Sequence, residues 1–175
     1  METDDQWLGD SEPKFTDKPI RGGSYTALPP LPDEDWLEAD LAKVGYAQRL
    51  YNKKPVFAQD KNGNDILDVE GNRIPRMVFT LEFDLRDPKF RLVDGSPRHS
   101  WVSVGVAFGD NANLPVLLDS LGIQYSKDVT TDRDVYEALK RIRRVKFMVE
   151  NKKVVKDGVT RIYSNPILSK IRRTD

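Results

Sequence analysis

The sequence predicts a mainly β domain, and three observations favour this fold class. Apolar and polar side chains alternate over several stretches, which is the pattern of strands with one buried face. Gly, Pro, Asn and Asp cluster between those stretches, as they do in turns. The stretches for which a helix is the first interpretation are few and short, residues 114–121 and 132–142. The 175 residues suffice for one domain with a tail, because domains commonly hold about 100–200 residues.

Residues 1–33 predict a mostly disordered, acidic and Pro-rich arm. They contain five prolines and the Gly22-Gly23 pair, and they show no sustained periodicity. The one apolar spot is Trp7-Leu8, which either docks a partner protein or packs back onto the domain. After the arm we expect a domain at residues 34–168 and a basic C-terminal tail at residues 169–175.

The first strand is expected at residues 36–50. Leu37, Ala39 and Leu41 alternate with acidic residues, and Gly45 interrupts the alternation at a position where we expect a bulge or bend. A helix is the competing interpretation, because apolar residues of this stretch also fit a helical stripe.

Residues 51–75 are polar and hold two Gly-Asn turn signals around a short apolar run, which predict a loop with a small hairpin. Asp60, Asn62 and Asn64 imitate the start of a calcium-binding loop. The match then fails, because the positions of the turn glycine and of the bidentate glutamate hold other residues. We therefore expect no calcium site in this segment.

Two further strands and a helix follow. Residues 76–86 and 99–108 each alternate between apolar and polar side chains, and the second stretch carries Trp101 on the side opposite its valines. A helix is predicted at residues 114–121, with Asn113 as its N-cap.

The C-terminal part predicts a helix at 132–142, a strand at 144–151, a tight turn at Asp157-Gly158 and a last strand at about 159–164. Pro166 is expected to limit pairing beyond that strand, because proline lacks the N–H that a ladder needs.

Five strands with the main helix between the third and the fourth is the order of an OB-like Greek-key barrel. In this layout the chain resembles the OB-fold, single-stranded-DNA-binding-like proteins that phages and prophages encode near replication and recombination genes. The resemblance covers about residues 34–168: a Pro-rich lead (LPPLPDEDWLEADL), a Trp-bearing strand (HSWVSVGVAF), a helix ending LLDSLGI and a closing stretch RIYSNPILSKI. It implies non-catalytic binding of single-stranded DNA, without base specificity, in replication or recombination.

Charge is sorted along the chain, although 28 basic and 28 acidic side chains cancel overall. Residues 1–40 hold 11 acidic and 3 basic side chains, a net charge of −8, and residues 133–175 hold 13 basic and 5 acidic ones, a net charge of +8. Such asymmetry is typical of nucleic-acid-binding proteins and of interaction tails. The alternative is two solvated faces that attract each other. The acidic arm is expected either to cover the basic surface or to recruit replication or recombination proteins through Trp7-Leu8.

Single-strand binding needs a basic groove and exposed aromatic rings. The expected cations are Arg144, Lys146, Lys152, Lys153 and Arg161, and the expected rings are Trp101, Tyr46, Tyr51 and Tyr163. Arg144 and Lys146 alternate with Val145 and Phe147, so the basic pair projects outward if the apolar pair fills the core. For Trp101 the alternative is packing beneath a helix or the arm, and for Tyr46 and Tyr163 it is half-buried packing.

The composition argues against several other classes. The absence of cysteine excludes a disulfide scaffold and a thiolate zinc site, and a single histidine, His99, excludes a multi-histidine metal centre. Glu82 and Asp84 share one strand face, for which simple solvation is expected, so we predict no enzyme, no metal and no cofactor. No apolar run reaches the roughly 20 residues of a membrane helix, and the N-terminus does not resemble a signal peptide. We therefore expect a cytoplasmic protein, in the host cytoplasm if a phage encodes it.

The competing function is a phage structural or assembly protein, or another protein–protein interaction module. Such a protein would use the same barrel, with residues 51–75 and the acidic arm as contact surfaces, and its basic face would be merely solvated.

Overall fold

The computed structural model describes residues 28–175, so the expectations for residues 1–27, including Trp7-Leu8, lie outside the described residues. In the described chain the strands are β1 (Leu37–Gln48), β2 (Leu50–Tyr51), β3 (Lys54–Pro55), β4 (Met77–Leu85), β5 (His99–Gly105), β6 (Arg144–Lys156) and β7 (Val159–Arg173), and the helices are α1 (Asn113–Ser120) and α2 (Asp132–Lys140). Neither helix is long and apolar enough to cross a membrane.

Five strands form one antiparallel sheet in the order β5-β4-β1-β6-β7. The mainly β class is therefore confirmed, and so is the expectation of strands at the five predicted places. β5 and β7 are the two edges of the sheet, and no ladder joins them within residues 28–175. Closure into a barrel is thus not seen.

One face of the sheet carries the core. Phe79, Leu81 and Phe83 alternate along β4 with side chains that are half-buried on the other face, and all three are fully buried. Phe83 packs against Phe147 of β6 with the rings tilted and their centroids 5.2 Å apart. Helix α1 adds Leu114, Leu117 and Leu118 to this core, and α2 adds Val135 and Leu139. Burial of each such side chain stabilises the fold by about 1.5–3 kcal/mol.

The two helices begin in different ways. Thr131 caps α2 in a capping box, in which its side chain accepts the N–H of Asp134 while the Asp134 carboxylate accepts the N–H of Thr131. The predicted Asn113 cap of α1 is wrong, because the N-cap is Ala112 and no side chain caps that end. The first-turn N–H groups of a helix have no intrahelical acceptor, so Pro115 fits as the third helical residue and α1 starts at Asn113.

The bulge in β1 lies at Ala42, and the expectation of a bulge at Gly45 is wrong. Leu41 pairs with Phe83 and Lys43 with Glu82, which leaves Ala42 as the extra residue. The bulge comes two residues after Asp40, the last residue of β1 that pairs with β6, so it lies where β1 separates from β6.

The predicted end of the last strand near residue 164 is also wrong, because β7 continues through Pro166 to Arg173. Val149 pairs with Pro166 and Phe147 with Ile171, so residues 167–170 bulge opposite Met148. Proline is tolerated at such a bulge, where a ladder hydrogen bond is missing in any case. Ile171 is fully buried, and residues 169–173 of the expected basic tail therefore belong to the sheet.

Residues 49–76 form a projection in which the expected small hairpin is present as the β2–β3 pair, while isolated bridges rather than a hairpin lie around residues 66–69. Residues 60–64 and 68–72 repeat the pattern Asp-x-x-Gly-Asn eight residues apart. In each copy the Asp side chain accepts two backbone N–H groups, two and four residues later, at 2.8–3.0 Å. Gly63 and Gly71 adopt φ of 81° and 84°, a region that favours glycine.

The repeat closes rings of backbone hydrogen bonds. Ala58 N–H donates to the Ile74 carbonyl, Ile74 N–H to Ile66 and Ile66 N–H to Ala58, at 2.8, 3.4 and 3.0 Å. Arg49, Val56 and Arg76 form a second such ring at 2.7–2.9 Å. The projection is therefore held by its own backbone.

Candidate nucleic-acid interface

A groove lies between the two edge strands of the sheet. Its volume is about 310 Å³, and we call it the edge groove. Residues 98–101, at the start of β5, form one wall and residues 161–165 of β7 form the other. Leu28 and Leu31 line it as well, so the segment that leads into the domain lies in the same gap.

The lead segment is tied to both walls by hydrogen bonds. On the β5 side, Arg98 Nη1 donates to the Pro29 carbonyl at 2.6 Å. On the side of the hairpin that β6 and β7 form, Leu31 N–H donates to Ser164 Oγ at 2.9 Å, and Asn151 Nδ2 donates to the Leu31 carbonyl at 2.9 Å. Ser164 Oγ in turn donates to Asn151 Oδ1 at 2.6 Å, which fixes both polar side chains. Residues 29–31 therefore span the gap that no ladder bridges.

Leu31 also anchors the lead through its side chain, which is 2 % exposed and belongs to the core. The expected boundary of the arm at residue 33 is therefore too late, because the packed domain already includes Leu31. The physical reason is that a single apolar side chain between Pro30 and Pro32 gives no periodic pattern in the sequence, whereas its burial depends on two strands that lie far along the chain.

Two of the four expected aromatic residues line the edge groove. Trp101 of β5 is 57 % exposed and Tyr163 of β7 is 47 % exposed. The neighbours of Trp101, Val102 and Ser100, are buried, as strand alternation requires. Packing of Trp101 beneath a helix is thus excluded. Its ring lies 5.8 Å from the ring of His99, measured between centroids.

Two arginines line the same groove as these rings. Arg161, an expected site residue, lines the edge groove together with Arg98, which was not expected. Lys152 is the cross-strand partner of Tyr163, so it points to the same face of the β6–β7 hairpin as that ring, although it is not itself a lining residue. Partial burial lowers the pKa of Arg98, but a guanidinium stays charged at neutral pH. None of the described residues that line the groove is acidic.

Arg144 and Lys146 lie elsewhere, on the face of β6 that points away from the helices. Their outward projection is confirmed, since Val145 and Phe147 are buried. The ladder, however, places an acid opposite each of them. Arg144 pairs with Asp40, with Nε 3.8 Å from Oδ1, and Lys146 pairs with Glu38.

Trp36, the first residue of the first predicted strand, is a ring near this face that was not among the expected site residues. It is 43 % exposed, with Lys146 Nζ 5.1 Å and Arg172 Cζ 5.9 Å from its ring centroid. These distances are within the range of cation–π attraction. The alternation that places Leu37 inward was the available signal that Trp36 points outward.

Tyr46 is remote from the edge groove. It packs on Phe79 at 5.3 Å between ring centroids, on the helix-bearing face of the sheet, and its hydroxyl donates to Asp132 Oδ2 of α2 at 2.5 Å. That hydrogen bond raises the pKa of Tyr46 to about 12 and lowers the pKa of Asp132. A role in joining β1 to α2 follows from this contact.

Tyr51 and Lys153 are also outside the edge groove. Tyr51 lies in β2, within the 49–76 projection, and is 73 % exposed. Lys153 pairs with Ile162, so it points to the face of the β6–β7 hairpin opposite that of Lys152 and Tyr163.

The structure thus brings together Trp101, Tyr163 and Arg161, with Lys152 beside them. Searches against known protein families, curated proteins and solved structures found no match for this chain.

Proposed function

We propose that this domain binds single-stranded DNA in the edge groove, without catalysis and largely without base specificity, in phage-type replication or recombination. The observation that carries the proposal is the pairing of two exposed rings, Trp101 and Tyr163, with Arg98 and Arg161 in one groove whose described lining residues include no acid. Strands from opposite edges of the sheet supply these side chains, so the fold itself assembles the set.

The rings account for binding to unpaired bases. A base stacked on an aromatic side chain contributes about 1–3 kcal/mol, and every base offers such a surface, so the contact is tolerant of sequence. Two rings therefore hold one or two bases. Stacking on Trp101 and Tyr163 requires bases that are free of a duplex, which gives the preference for a single strand.

The cations account for binding to the backbone. Arg98 and Arg161 line the same groove, and Lys152 flanks Tyr163, so phosphates on either side of the stacked bases meet positive charge. Each phosphate neutralised on a single strand contributes a salt-dependent term, with a slope of about −0.7 in log K against log salt. Affinity is thus expected to fall steeply with salt.

An OB-like barrel belongs to this proposal. The hydrogen bonds of residues 29–31 to Arg98 on one side and to Ser164 and Asn151 on the other connect the two sheet edges through the lead segment. In this interpretation the lead takes the place of the missing ladder, and the edge groove is the gap that remains above it.

A titration tests the proposal. Fluorescein-labelled poly(dT) and a labelled duplex are each titrated with the full chain at 50 and 200 mM salt, and anisotropy is measured. We expect single-strand binding that is tighter than duplex binding and that weakens at the higher salt. No binding of poly(dT) at 50 mM salt would contradict the proposal.

A second candidate is the protein–protein interaction module of phage assembly, and the 49–76 projection favours it. Leu50, Tyr51 and Val69 are 63 %, 73 % and 104 % exposed there, on a backbone that is held by its own hydrogen bonds. A contiguous apolar patch that is exposed on a defined scaffold is typical of contact surfaces, and Leu50 and Tyr51 are neighbours in β2. Absence of nucleic-acid binding in the titration would favour this function.

A further inference from the structure

Three metal-ligating side chains meet on the face of the sheet that points away from the helices. Asp84 of β4 pairs in register with His99 of β5, and Glu82 lies two residues along β4 on the same face. One ligand atom from each residue lies within 4.8 Å of the other two. The ladder between β4 and β5, rather than a loop, sets this arrangement, so the three ligands come from regular strands.

His99 is close enough to Asp84 for a full hydrogen bond but lies farther from Glu82. His99 Nδ1 is 2.5 Å from Asp84 Oδ1 and 3.4 Å from Glu82 Oε1. A ring nitrogen carries at most one proton, so it donates a full hydrogen bond to one carboxylate only. The described ion pairs of Glu82 and Asp84 are both with this imidazole.

A neighbouring carboxylate shows a different solution. Asp40 of β1 lies directly opposite Asp84 in the next ladder, and like charges at such positions destabilise a sheet. Arg86 neutralises Asp40, with Nη1 2.9 Å from Oδ1. The sheet therefore supplies an arginine to Asp40, whereas the described ion pairs of Glu82 and Asp84 are with one histidine, and Lys43 is the β1 ladder partner of Glu82.

We propose that Glu82, Asp84 and His99 bind a divalent metal ion of the zinc class. One imidazole nitrogen and two carboxylate oxygens are ligands that Zn²⁺ takes at about 2.0–2.2 Å. Three protein ligands leave the fourth tetrahedral position open. The three side chains are 26–35 % exposed, so an ion reaches them from solvent and they have room to close around it.

The location of the site makes the open coordination position of the metal accessible from the edge groove. His99 lines the edge groove and its ring lies beside Trp101, so a bound ion sits at the rim of that groove. The metal site itself does not rest on nucleic-acid binding, and its test contains no DNA.

The composition makes the test unusually direct. The chain has one histidine and no cysteine, so no other imidazole or thiolate competes for Zn²⁺. For the same reason, the imidazole signals in an NMR spectrum all belong to His99 and need no mutant for assignment. The untagged full chain is required, because a histidine tag would add ligands.

In the experiment, ZnCl₂ is titrated into the untagged chain, with heat measured by calorimetry and the His99 imidazole resonances followed by ¹⁵N NMR. We expect one ion per chain and a shift or loss of the His99 signals that is complete at one equivalent. Unchanged His99 resonances at one equivalent overturn the proposal, and this readout needs no variant.

Variants give the second readout. His99→Ala and Asp84→Asn are expected to weaken Zn²⁺ binding at least about tenfold, whereas Asp40→Asn on the same face is the matched control and is expected to leave it unchanged. Circular dichroism checks that each variant folds. Equal affinity in His99→Ala would show that surface carboxylates alone hold the ion, and the proposal would be wrong.

Discussion

Basic side chains from the C-terminal part of the chain lie in two regions of the sheet that differ in their neighbours. On the outward face of β6, Arg144 and Lys146 each have an acidic ladder partner from β1. In the edge groove, Arg161 has the apolar Val154 as its ladder partner and lines the same cavity as Trp101 and Tyr163, while the acids Glu82 and Asp84 are the β4 ladder partners of Trp101 and His99. Arg144, Lys146 and Arg161 all come from residues 133–175, the part of the chain with a net charge of +8, so the count of charges does not distinguish the two regions. Strand pairing does, because it decides which charges face each other.

The largest effect on poly(dT) affinity is expected from removal of an aromatic ring in the edge groove, and removal of a ring near β6 is the comparison. Trp101→Ala is expected to weaken poly(dT) binding by about 1–3 kcal/mol, or roughly 5–150-fold in Kd, because one stacking surface is lost. Anisotropy titration at 50 mM salt measures it. Trp36→Ala, which removes an exposed ring near β6, is the matched control and is expected to change Kd less than twofold. Equal losses in both variants would contradict the placement of the site.

The cations sharpen the same comparison. Arg161→Gln is expected to lower the slope of log K against log salt by about 0.7–1, because one phosphate contact is removed. Arg144→Gln removes a cation that already faces Asp40. The slope of log K against log salt for this variant is expected to equal that of the unmodified chain. The measurement is a salt series from 50 to 300 mM. If only Arg144→Gln lowered the slope, the DNA-binding surface would lie on β6 and the placement in the edge groove would be wrong.

A smaller effect is expected from the acidic segment before the groove. Residues 1–27 hold six acidic and three basic side chains, and the described chain begins at Leu28, which lines the edge groove. Deletion of residues 1–27 is expected to tighten poly(dT) binding a few-fold at 50 mM salt and to have less effect at 300 mM, because salt screens the competition.

The deletion ends at residue 27, because Leu31 is buried and its loss would disturb the groove. Circular dichroism of the shortened chain serves as the folding control. Unchanged affinity at every salt concentration would remove the competition hypothesis and leave recruitment through Trp7-Leu8 as the role of the arm.

The smallest effect on binding is expected at Tyr46, which lies in neither region. Tyr46→Phe removes the hydrogen bond to Asp132 and is expected to lower the free energy of unfolding by about 0.5–1 kcal/mol, a modest loss because the pair is exposed to solvent. Poly(dT) affinity is expected to stay the same. Urea unfolding followed by circular dichroism gives the first value, and anisotropy gives the second.

The same contact has a pH dependence with a definite sign. The pKa of Tyr46 is raised from 10.0 to about 12, so its stabilising contribution is complete below pH 10 and is lost as pH rises towards 12. The pKa of Asp132 is lowered, so its contribution is complete above the ordinary pKa of an aspartate and is lost as pH falls. In Tyr46→Phe the alkaline loss assigned to this pair should be absent. An identical alkaline profile in both proteins would contradict it.

Much of the fold was predictable where the pattern is local. The alternation around Phe79, Leu81 and Phe83 predicts β4 because a strand with one buried face needs that period. The positions of Ala42 and of the bulge after Pro166 were not predictable, because a bulge depends on the register against a partner strand. The pattern of residues 159–164 ends at the bulge, although the strand resumes beyond it.

The candidate site divides in the same way. Sequence alternation correctly placed Trp101 outside the core, and Arg144 and Lys146 on an outward face. It offered no means of knowing that Tyr46 faces α2, or that Arg98 and Leu31 share the edge groove with Tyr163. These contacts join residues that are far apart in the chain, so no window of sequence contains them.

Composition and local pattern account for the places of the five main strands, the surplus of positive charge near the C-terminus and the absence of thiols and of a second imidazole. Strand order and register account for which of those charges face acids, which rings share a groove, and the convergence of Glu82, Asp84 and His99. The physical reason is that composition and period are properties of neighbouring residues, whereas electrostatic partners and stacked rings are set by strand order and register.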